Sequence, residues 1–313
     1  MKPGAALFVS SGDLVADRRF GWALDQAGRG DLVAAADILL QTLELTPKFT
    51  TAWFTLGAIR DRLGDREGAI AAFRQARDYD TEDYHGARLQ LARLGADDIA
   101  PAMTAVYVRR LFDQHAPNFD ESLLERLDYR APELLRAALE AACQKAGRPF
   151  HFASMLDLGC GTGLSGAAFR DAVDHMVGMD LSAGMLIEAK AKNIYDRLDE
   201  GELVEYVQRT EWQTASVEMI VAADVFVYVA DLMPSFAAIA GALAPNGWLA
   251  FSVETHDGEG ARLGPTLRYA HARDYVWDVL TDAGLEVVTL RKASTRTEKG
   301  EPVPGLVVVA TRN

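Results

Sequence analysis

A run of three alternating glycines constrains the fold of this chain more than any other stretch. Residues 155–163 read Met-Leu-Asp-Leu-Gly-Cys-Gly-Thr-Gly, and a stretch that can form a helix, residues 164–172, follows them. This order is typical of a β-strand, a tight loop and a helix N-terminus, where a ligand can reach free backbone N–H groups. Gly161, Gly163 and Gly166 also fit the G-x-G-x-x-G spacing, which alone fits a dinucleotide site equally well.

Acidic residues lie at or near the ends of the apolar runs around this loop. Asp157 lies two residues before the first glycine, and the next apolar run ends in Asp180. A carboxylate at the end of that strand can accept hydrogen bonds from both hydroxyls of a ribose. Ser182 then predicts the N-cap of a helix, and Met185 on that helix is placed to pack on an adenine face. A later apolar run, residues 220–229, carries Asp224 midway.

The first third of the chain repeats itself at a spacing of 34 residues. Residues 53–57 read Trp-Phe-Thr-Leu-Gly and are followed by Ala69 and Phe73, and a shift of 34 residues pairs Gly64 with Gly30. This is the pattern of tetratricopeptide repeats. We therefore predict two helical repeats, with a capping helix at about residues 82–94. An ordinary amphipathic helical hairpin is the alternative.

The whole set of motifs resembles the class I S-adenosylmethionine-dependent methyltransferases, and with its repeats the chain is similar to predicted methyltransferases that carry N-terminal tetratricopeptide repeats. The resemblance implies an α/β fold, a Rossmann-like seven-stranded sheet whose last strand is antiparallel, preceded by an all-α repeat module. Two β-branched runs near the end, residues 285–292 and 306–310, independently predict such a final hairpin. The implied domains are a helical repeat module, a helical lid or connector, and a methyltransferase domain, at residues 1–97, 98–150 and 151–313.

The resemblance implies that S-adenosylmethionine binds at the glycine loop, with S-adenosylhomocysteine as the product. The residues that it implies in cofactor binding are Asp157, Gly159, Gly161, Gly163, Asp180, Leu181, Met185, Glu202, Leu203, Ala223 and Asp224. In the family, the first two glycines lie against the methionine part, Asp157 holds the loop or the ammonium group, and Asp180 binds the ribose. Glu202 is the preferred acceptor for the adenine amine, with Asp199 and Glu205 as open alternatives.

Methyl transfer from a sulfonium needs positioning more than it needs a base. The leaving group is already good, so holding the nucleophile near the methyl supplies most of the catalysis, and a base is required only for a protonated nucleophile. His256 or His271 could serve as that base, and Arg268 could hold an anionic group of the substrate. Residues expected at the substrate or in a lid are Tyr107, Phe119, Tyr129, Glu254 and Tyr275.

Charge and composition limit the partners that we expect. The net charge is −13, and acidic residues outnumber basic ones on both sides of residue 100, which argues against nucleic acid and anionic membranes. Two cysteines, Cys143 and Cys160, are too few for a disulfide framework or a zinc site, so we expect reduced thiols and no bound metal. No signal peptide or membrane helix is expected.

These observations predict a cytoplasmic enzyme that methylates a small molecule. Two alternatives remain open: a protein methyltransferase whose repeats dock its substrate, and a non-catalytic scaffold that binds S-adenosylmethionine. The repeats could also bind another protein or mediate self-association. An NAD-dependent oxidoreductase is disfavoured by Asp157 and by the antiparallel ending.

Overall fold

The structure, a computed structural model, describes residues 8–214 and 217–312. The chain divides into two compact units, Met1–Tyr107 and Val108–Asn313.

The first unit is helical. Its helices are α1 (Leu14–Gly28), α2 (Leu32–Leu45), α3 (Thr50–Arg62), α4 (Arg66–Tyr79) and α5 (Ala87–Arg93). Helix α1 packs on α2 and α3 packs on α4, so the two hairpins repeat at the spacing read from the sequence. Gly30 and Gly64 turn the chain between the paired helices with φ of 88° and 81°. Ala35 and Ala69 are fully buried, as close helix packing requires.

The expected capping helix of the first unit begins later than its sequence predicts. Helix α5 starts at Ala87, because Asp83 adopts a positive φ of 53° and its Oδ1 accepts the N–H of Ala87 at 2.7 Å. The arrangement is two helical hairpins and a short helix, and its assignment to the tetratricopeptide family stays a prediction.

The second unit is a mixed α/β structure. Its helices are α6 (Ala105–His115, which begins in the first unit), α7 (Phe119–Arg126), α8 (Ala131–Lys145), α9 (Leu164–Phe169), α10 (Ala183–Ala191), α11 (Leu203–Val207), α12 (Thr210–Thr214), α13 (Met233–Ala242) and α14 (Arg273–Asp282). Its strands are β1 (Phe152–Leu158), β2 (Val173–Asp180), β3 (Arg197–Glu200), β4 (Val217–Ala222), β5 (Leu243–His256), β6 (Ala261–Leu263), β7 (Tyr269–Ala272), β8 (Leu285–Ala293), β9 (Thr297–Glu298), β10 (Glu301–Pro302) and β11 (Gly305–Arg312).

The sheet has the Rossmann-like topology that the sequence predicts. Its main path runs β3-β2-β1-β4-β5-β11-β8. Strands β1 to β5 pair in parallel along this path, and β11 is antiparallel to both β5 and β8. Strands β6 and β7 were not predicted; β7 pairs with the end of β5 and β6 pairs with β7. The helix predicted over residues 164–172 ends at Phe169.

Helices cover both faces of this sheet, so its central strands are buried and read as continuous apolar runs. The carboxyl ends of parallel strands meet at one edge, where open α/β sheets bind their ligands. Asp157 lies near the end of β1, Asp180 ends β2, and Glu254 lies near the end of β5. Among the described residues, none of the helices has the length and apolar character that crossing a bilayer requires.

Candidate functional site

The glycine loop joins β1 to α9 through three residues in the left-handed region. Gly159, Gly161 and Gly163 have φ of 61°, 55° and 94°. A Cβ on Gly159 would lie 2.6 Å from Cγ2 of Val225, so the loop also needs glycine to approach the segment after β4. The N–H of Cys160 donates to the Met179 carbonyl at 2.9 Å, which ties the loop to β2.

Asp180 holds this loop from the end of β2. Its Oδ2 accepts the N–H of Gly161 and its Oδ1 accepts the N–H of Ser182, both at 2.8 Å. Burial raises the pKa of Asp180 to about 6 although these N–H donors act against it. Each carboxylate oxygen can accept a further hydrogen bond. The side chain is therefore suited to a ligand with two neighbouring hydroxyls.

Asp157 is a second buried carboxyl beside the loop. Its Oδ2 accepts a hydrogen bond from the Tyr195 hydroxyl at 2.6 Å, while its Oδ1 has no partner in the described part of the chain. Burial raises the pKa of Asp157 to about 7, and the charge of Asp180 adds to this rise. A buried acceptor without a partner is unfavourable, so a cationic ligand group would be stabilised there.

Tyr195 was not predicted as part of the site. A Cβ on Gly166 would lie 2.4 Å from the Tyr195 ring, so the last glycine of the G-x-G-x-x-G pattern makes room for this tyrosine.

The predicted adenine side of the site lies around α10 and the start of α11. Ser182 caps α10 as predicted, since its Oγ accepts the N–H of Met185, which is buried, at 3.1 Å. The Leu181 carbonyl accepts a hydrogen bond from Arg109 Nε at 3.1 Å.

Glu202 lies two residues beyond β3, next to the half-buried Leu203. Its Oε2 accepts the N–H of Glu205 at 3.0 Å and caps α11. Asp199 instead accepts a hydrogen bond from the Tyr206 hydroxyl. The adenine role of Glu202 stays a prediction.

Asp224 follows β4 and the half-buried Ala223, and it adopts a φ of 56°. Its Oδ1 accepts a hydrogen bond from Ser252 Oγ at 2.6 Å, and its Oδ2 accepts one from Thr295 Oγ1 at 3.2 Å. The same oxygen lies 3.8 Å from Nη1 of Arg296. The carboxylate is thus fixed by residues from β5 and from the loop after β8.

A compact group of charges lies beside Asp224. Arg296 is 2% exposed, and its Nη2 donates to Oε1 of Glu254 at 2.8 Å. Nη1 of Arg268 lies 3.6 Å from the same oxygen, and its guanidinium lies over the Tyr228 ring, 5.4 Å from the centroid. We call these two arginines and two acids, Asp224, Glu254, Arg268 and Arg296, the charged cluster. Sequence reasoning named three of its members and missed Arg296.

Aromatic side chains connect the glycine loop to this cluster. Phe119 lies 4.0 Å from the position of a Cβ on Gly161, its ring centroid is 5.8 Å from that of Phe112, and Phe112 meets Tyr228 at 5.2 Å. Phe119, Phe112 and Tyr228 are called the aromatic row below.

Hydrogen bonds also attach α6 and α7 to the glycine loop and α10. Asp113 accepts the Gly184 N–H at 3.1 Å, while Asp120 accepts from Thr162 Oγ1 and from Lys192 Nζ. These contacts are what a lid over the glycine loop requires.

The other two predicted lid aromatics are Tyr129 and Tyr107. Burial raises the pKa of Tyr129 well above 10, and the negative charges of Asp224 and Asp157 act in the same direction. Tyr107 is the last residue of the first unit, where its ring lies against Gly86.

The two predicted bases differ in how far the whole residue is buried. His271 on β7 is fully buried, its Nε2 bonds to the Val229 carbonyl at 2.9 Å, and burial lowers its pKa to about 4. Tyr275 stacks on His271, and its hydroxyl accepts the Leu232 N–H at 3.0 Å. Both side chains are thus held by contacts within the protein. His256 is half-buried, and its Nδ1 accepts the Gly258 N–H at 2.9 Å.

Residues 156–251 match the family model described as a methyltransferase domain. This part of the chain is therefore similar to methyltransferase domains. Three curated proteins are similar to this chain. Methyltransferase-like protein 27 of Homo sapiens is 40% identical over 88 residues, which are 28% of this chain and 34% of that protein. The 18S rRNA (guanine-N(7))-methyltransferase of Bos taurus is 40% identical over 67 residues, 21% of each chain, and the malonyl-[acyl-carrier protein] O-methyltransferase of Methylovorus sp. strain MP688 is 30% identical over 152 residues, 46% of this chain and 49% of that protein. The chain therefore spans less than half the length of these relatives.

The fold of the methyltransferase domain is shared with solved structures. The crystal structure of the [4+2]-cyclase SpnF superposes with a TM-score of 0.53 at 14% identity, over 67% of this chain and 97% of that one. A cyclase with this fold shows that the fold alone does not determine the reaction.

Proposed function

We propose that the protein transfers a methyl group from S-adenosylmethionine to a small-molecule acceptor. The observation that carries the proposal is the pair of buried acids at the glycine loop. Asp157 Oδ1 has no partner among the described residues, and each oxygen of Asp180 accepts one backbone N–H. The cofactor presents an ammonium group and two ribose hydroxyls, so the donors of the ligand fit the acceptors of the protein.

The chain's own residues would bind the cofactor and exclude water. Asp180 would accept the ribose hydroxyls, Asp157 the ammonium group, and Met185 would pack on the adenine. The sulfonium of the cofactor supplies an electrophilic methyl and a good leaving group when it is bound. The aromatic row would close over the glycine loop and hold the acceptor close to the methyl, which is the main requirement of an in-line displacement.

An acceptor that arrives deprotonated fits the site best. The imidazole of His271 is buried and has a pKa of about 4, so it is a poor base at neutral pH. His256 is the remaining candidate for a protonated nucleophile, and its base role stays a proposal.

A small acceptor agrees better with the charge of the chain than RNA does. The net charge is −13, whereas binding of the phosphate backbone relies on clustered Lys and Arg. One relative carries an O-methyltransferase name for an acyl-carrier substrate and another carries an rRNA methyltransferase name. Methylation of RNA or of protein is therefore the alternative result of the labelling experiment.

We further propose that the first unit is a tetratricopeptide module of a cytoplasmic protein and that it docks a partner or a second copy. Its first helix exposes several large apolar side chains, namely Leu14, Val15, Trp22 and Leu24. Light scattering of the full chain and of a Trp22→Ser variant measures self-association directly.

The cofactor proposal is tested by calorimetry with S-adenosylhomocysteine, S-adenosylmethionine and NADH. We expect the first two ligands to bind and NADH not to bind, with the opposite result refuting the assignment. A matched pair of variants, Asp180→Asn in the site and Asp174→Asn on the exposed surface, locates the binding. Only the former should weaken it.

The acceptor class is tested with labelled S-adenosylmethionine and a cell extract. The extract is separated into an ultrafiltrate, RNA and protein, and each fraction is incubated with the enzyme. Label that enters only the ultrafiltrate supports a small-molecule acceptor. Label that enters RNA or protein would instead show that the acceptor is RNA or protein. Cofactor binding without label in any fraction favours the scaffold alternative.

A further inference from the structure

The guanidinium of Arg268 is held in place but is not saturated with hydrogen bonds. Its side chain is 18% exposed, and in the described part of the chain it forms an ion pair at 3.6 Å but no hydrogen bond. Stacking on Tyr228 fixes the plane of the group without using its N–H donors. A guanidinium has five such donors in a planar fork that matches a carboxylate. The unused donors of Arg268 are therefore available to an acceptor that the described part of the chain does not supply.

Arg296 explains why the nearby acids do not supply that acceptor. Glu254 lies 2.8 Å from Arg296 but 3.6 Å from Arg268, and Asp224 pairs with Arg296 at 3.8 Å. Asp224 is also bound by two hydroxyl groups. Arg296 is 2% exposed, and its Nη2 donates to Glu254, while its Nη1 has no hydrogen-bond partner in the described part of the chain. The formal charges of the four cluster residues sum to zero.

The position of Arg268 relative to the glycine loop follows from the aromatic row. Contacts run from Gly161 through Phe119 and Phe112 to Tyr228, on which the guanidinium of Arg268 lies. The aromatic row therefore links the glycine loop to Arg268 through ring contacts. A molecule bound along the row would have one end near the loop and the other at the guanidinium.

We propose that the acceptor carries a carboxylate and that Arg268 binds it in the fork of its guanidinium. This inference rests on the proposed methyl transfer and adds the chemical class of the substrate. Arg268 contacts the substrate and determines specificity. Arg296 is a positioning residue, because it neutralises Glu254 and Asp224 and so keeps Arg268 available.

The test measures whether small carboxylates stabilise the complex with S-adenosylhomocysteine. Acetate, malonate and benzoate are compared with acetamide, malonamide and benzamide at equal ionic strength. A carboxylate at about ten times its dissociation constant should raise Tm by roughly 3–6 °C. We expect such a rise with at least one acid and none with the matched amides.

Three variants assign the effect to the cluster. Arg268→Gln should abolish the response to carboxylate while the response to S-adenosylhomocysteine remains. Glu254→Gln should strengthen the response to carboxylate, because it removes a negative charge beside the guanidinium. Arg273→Gln, at a half-exposed arginine on α14, is the control and should behave like the parent.

The outcomes separate this inference from the proposed function. Binding of S-adenosylhomocysteine without any preference for carboxylates over amides would overturn the carboxylate site alone, as would an unchanged response in Arg268→Gln. No binding of S-adenosylhomocysteine would refute the proposed function itself, and the carboxylate proposal with it.

Discussion

Replacing Asp157 by asparagine should make the ligand-free protein more stable and its complex with S-adenosylhomocysteine weaker. The side chain is 1% exposed, and burial raises its pKa from 3.8 to about 7. A raised carboxyl pKa means that the folded state binds the proton more tightly than the unfolded state does. The free energy of unfolding therefore falls as pH rises from about 4 to about 7. Above that range the ionised group destabilises the folded state by a constant amount.

The magnitude follows from the pKa difference. Moving a carboxyl pKa from 3.8 to about 7 corresponds to about 4 kcal/mol at pH 8. An asparagine still requires desolvation of its amide, about 1–3 kcal/mol. It keeps an acceptor for the Tyr195 hydroxyl. The net gain is about 2 kcal/mol, or roughly 6 °C in Tm for a unit of this size.

Differential scanning calorimetry of the parent, Asp157→Asn and the surface control Asp174→Asn measures this effect at pH 5 and pH 8. The gain should be present at pH 8 and smaller at pH 5, where the parent carboxyl is protonated. Loss of the charged partner of the ammonium should weaken S-adenosylhomocysteine binding about 10–100-fold. A variant that is less stable than the parent at pH 8, with an unaffected control, would refute the reasoning.

Asp180→Asn should weaken S-adenosylhomocysteine binding about 10–100-fold by calorimetry, because a neutral amide replaces a charged acceptor; unchanged affinity would contradict its role at the ribose. Gly159→Ala and Gly147→Ala both place a Cβ at positive φ, but only the former meets a neighbour, at 2.6 Å, so its loss of Tm should be the larger. Equal losses of Tm in the two variants would show that the contact with Val225 does not affect stability. In the first unit, Gly57→Ala brings a Cβ to 2.7 Å from the Phe73 ring and should destabilise by about 1–3 kcal/mol in urea unfolding. Gly21→Ala, where the Cβ meets nothing within 4 Å, should stabilise α1 by about 0.5–1 kcal/mol, and the reverse order would contradict the packing.

Local patterns in the sequence were sufficient for the main features of the α/β sheet. The glycine loop, the acid that ends β2 and the antiparallel order of β8 and β11 were predicted and are present. Each depends on residues that are close in sequence, such as an apolar run ending in Gly159 or in Asp180. The α1–α2 and α3–α4 hairpins were recognisable for the same reason, from Gly30 and Gly64.

Contacts between residues far apart in the sequence were not predicted. Asp224 accepts a hydrogen bond from Thr295, which lies 71 residues further along the chain. Arg296, which pairs with Asp224, lies in a loop that no sequence motif marks. Tyr195 reaches Asp157 across 38 positions. The burial of His271 was also not foreseen, because the short strand β7 was not predicted and its alternation turns this side chain inward.

The placement of β11 between β5 and β8 has a consequence for biosynthesis. Because β11 follows both of its neighbours in the chain, β5 and β8 are synthesised before the strand that pairs with both of them. Until residues 305–312 emerge, each of the two strands presents an unpaired edge, which can pair with other chains. The sheet can therefore be completed only late in translation, and a nascent chain that stalls before Gly305 should depend on chaperones to remain unaggregated.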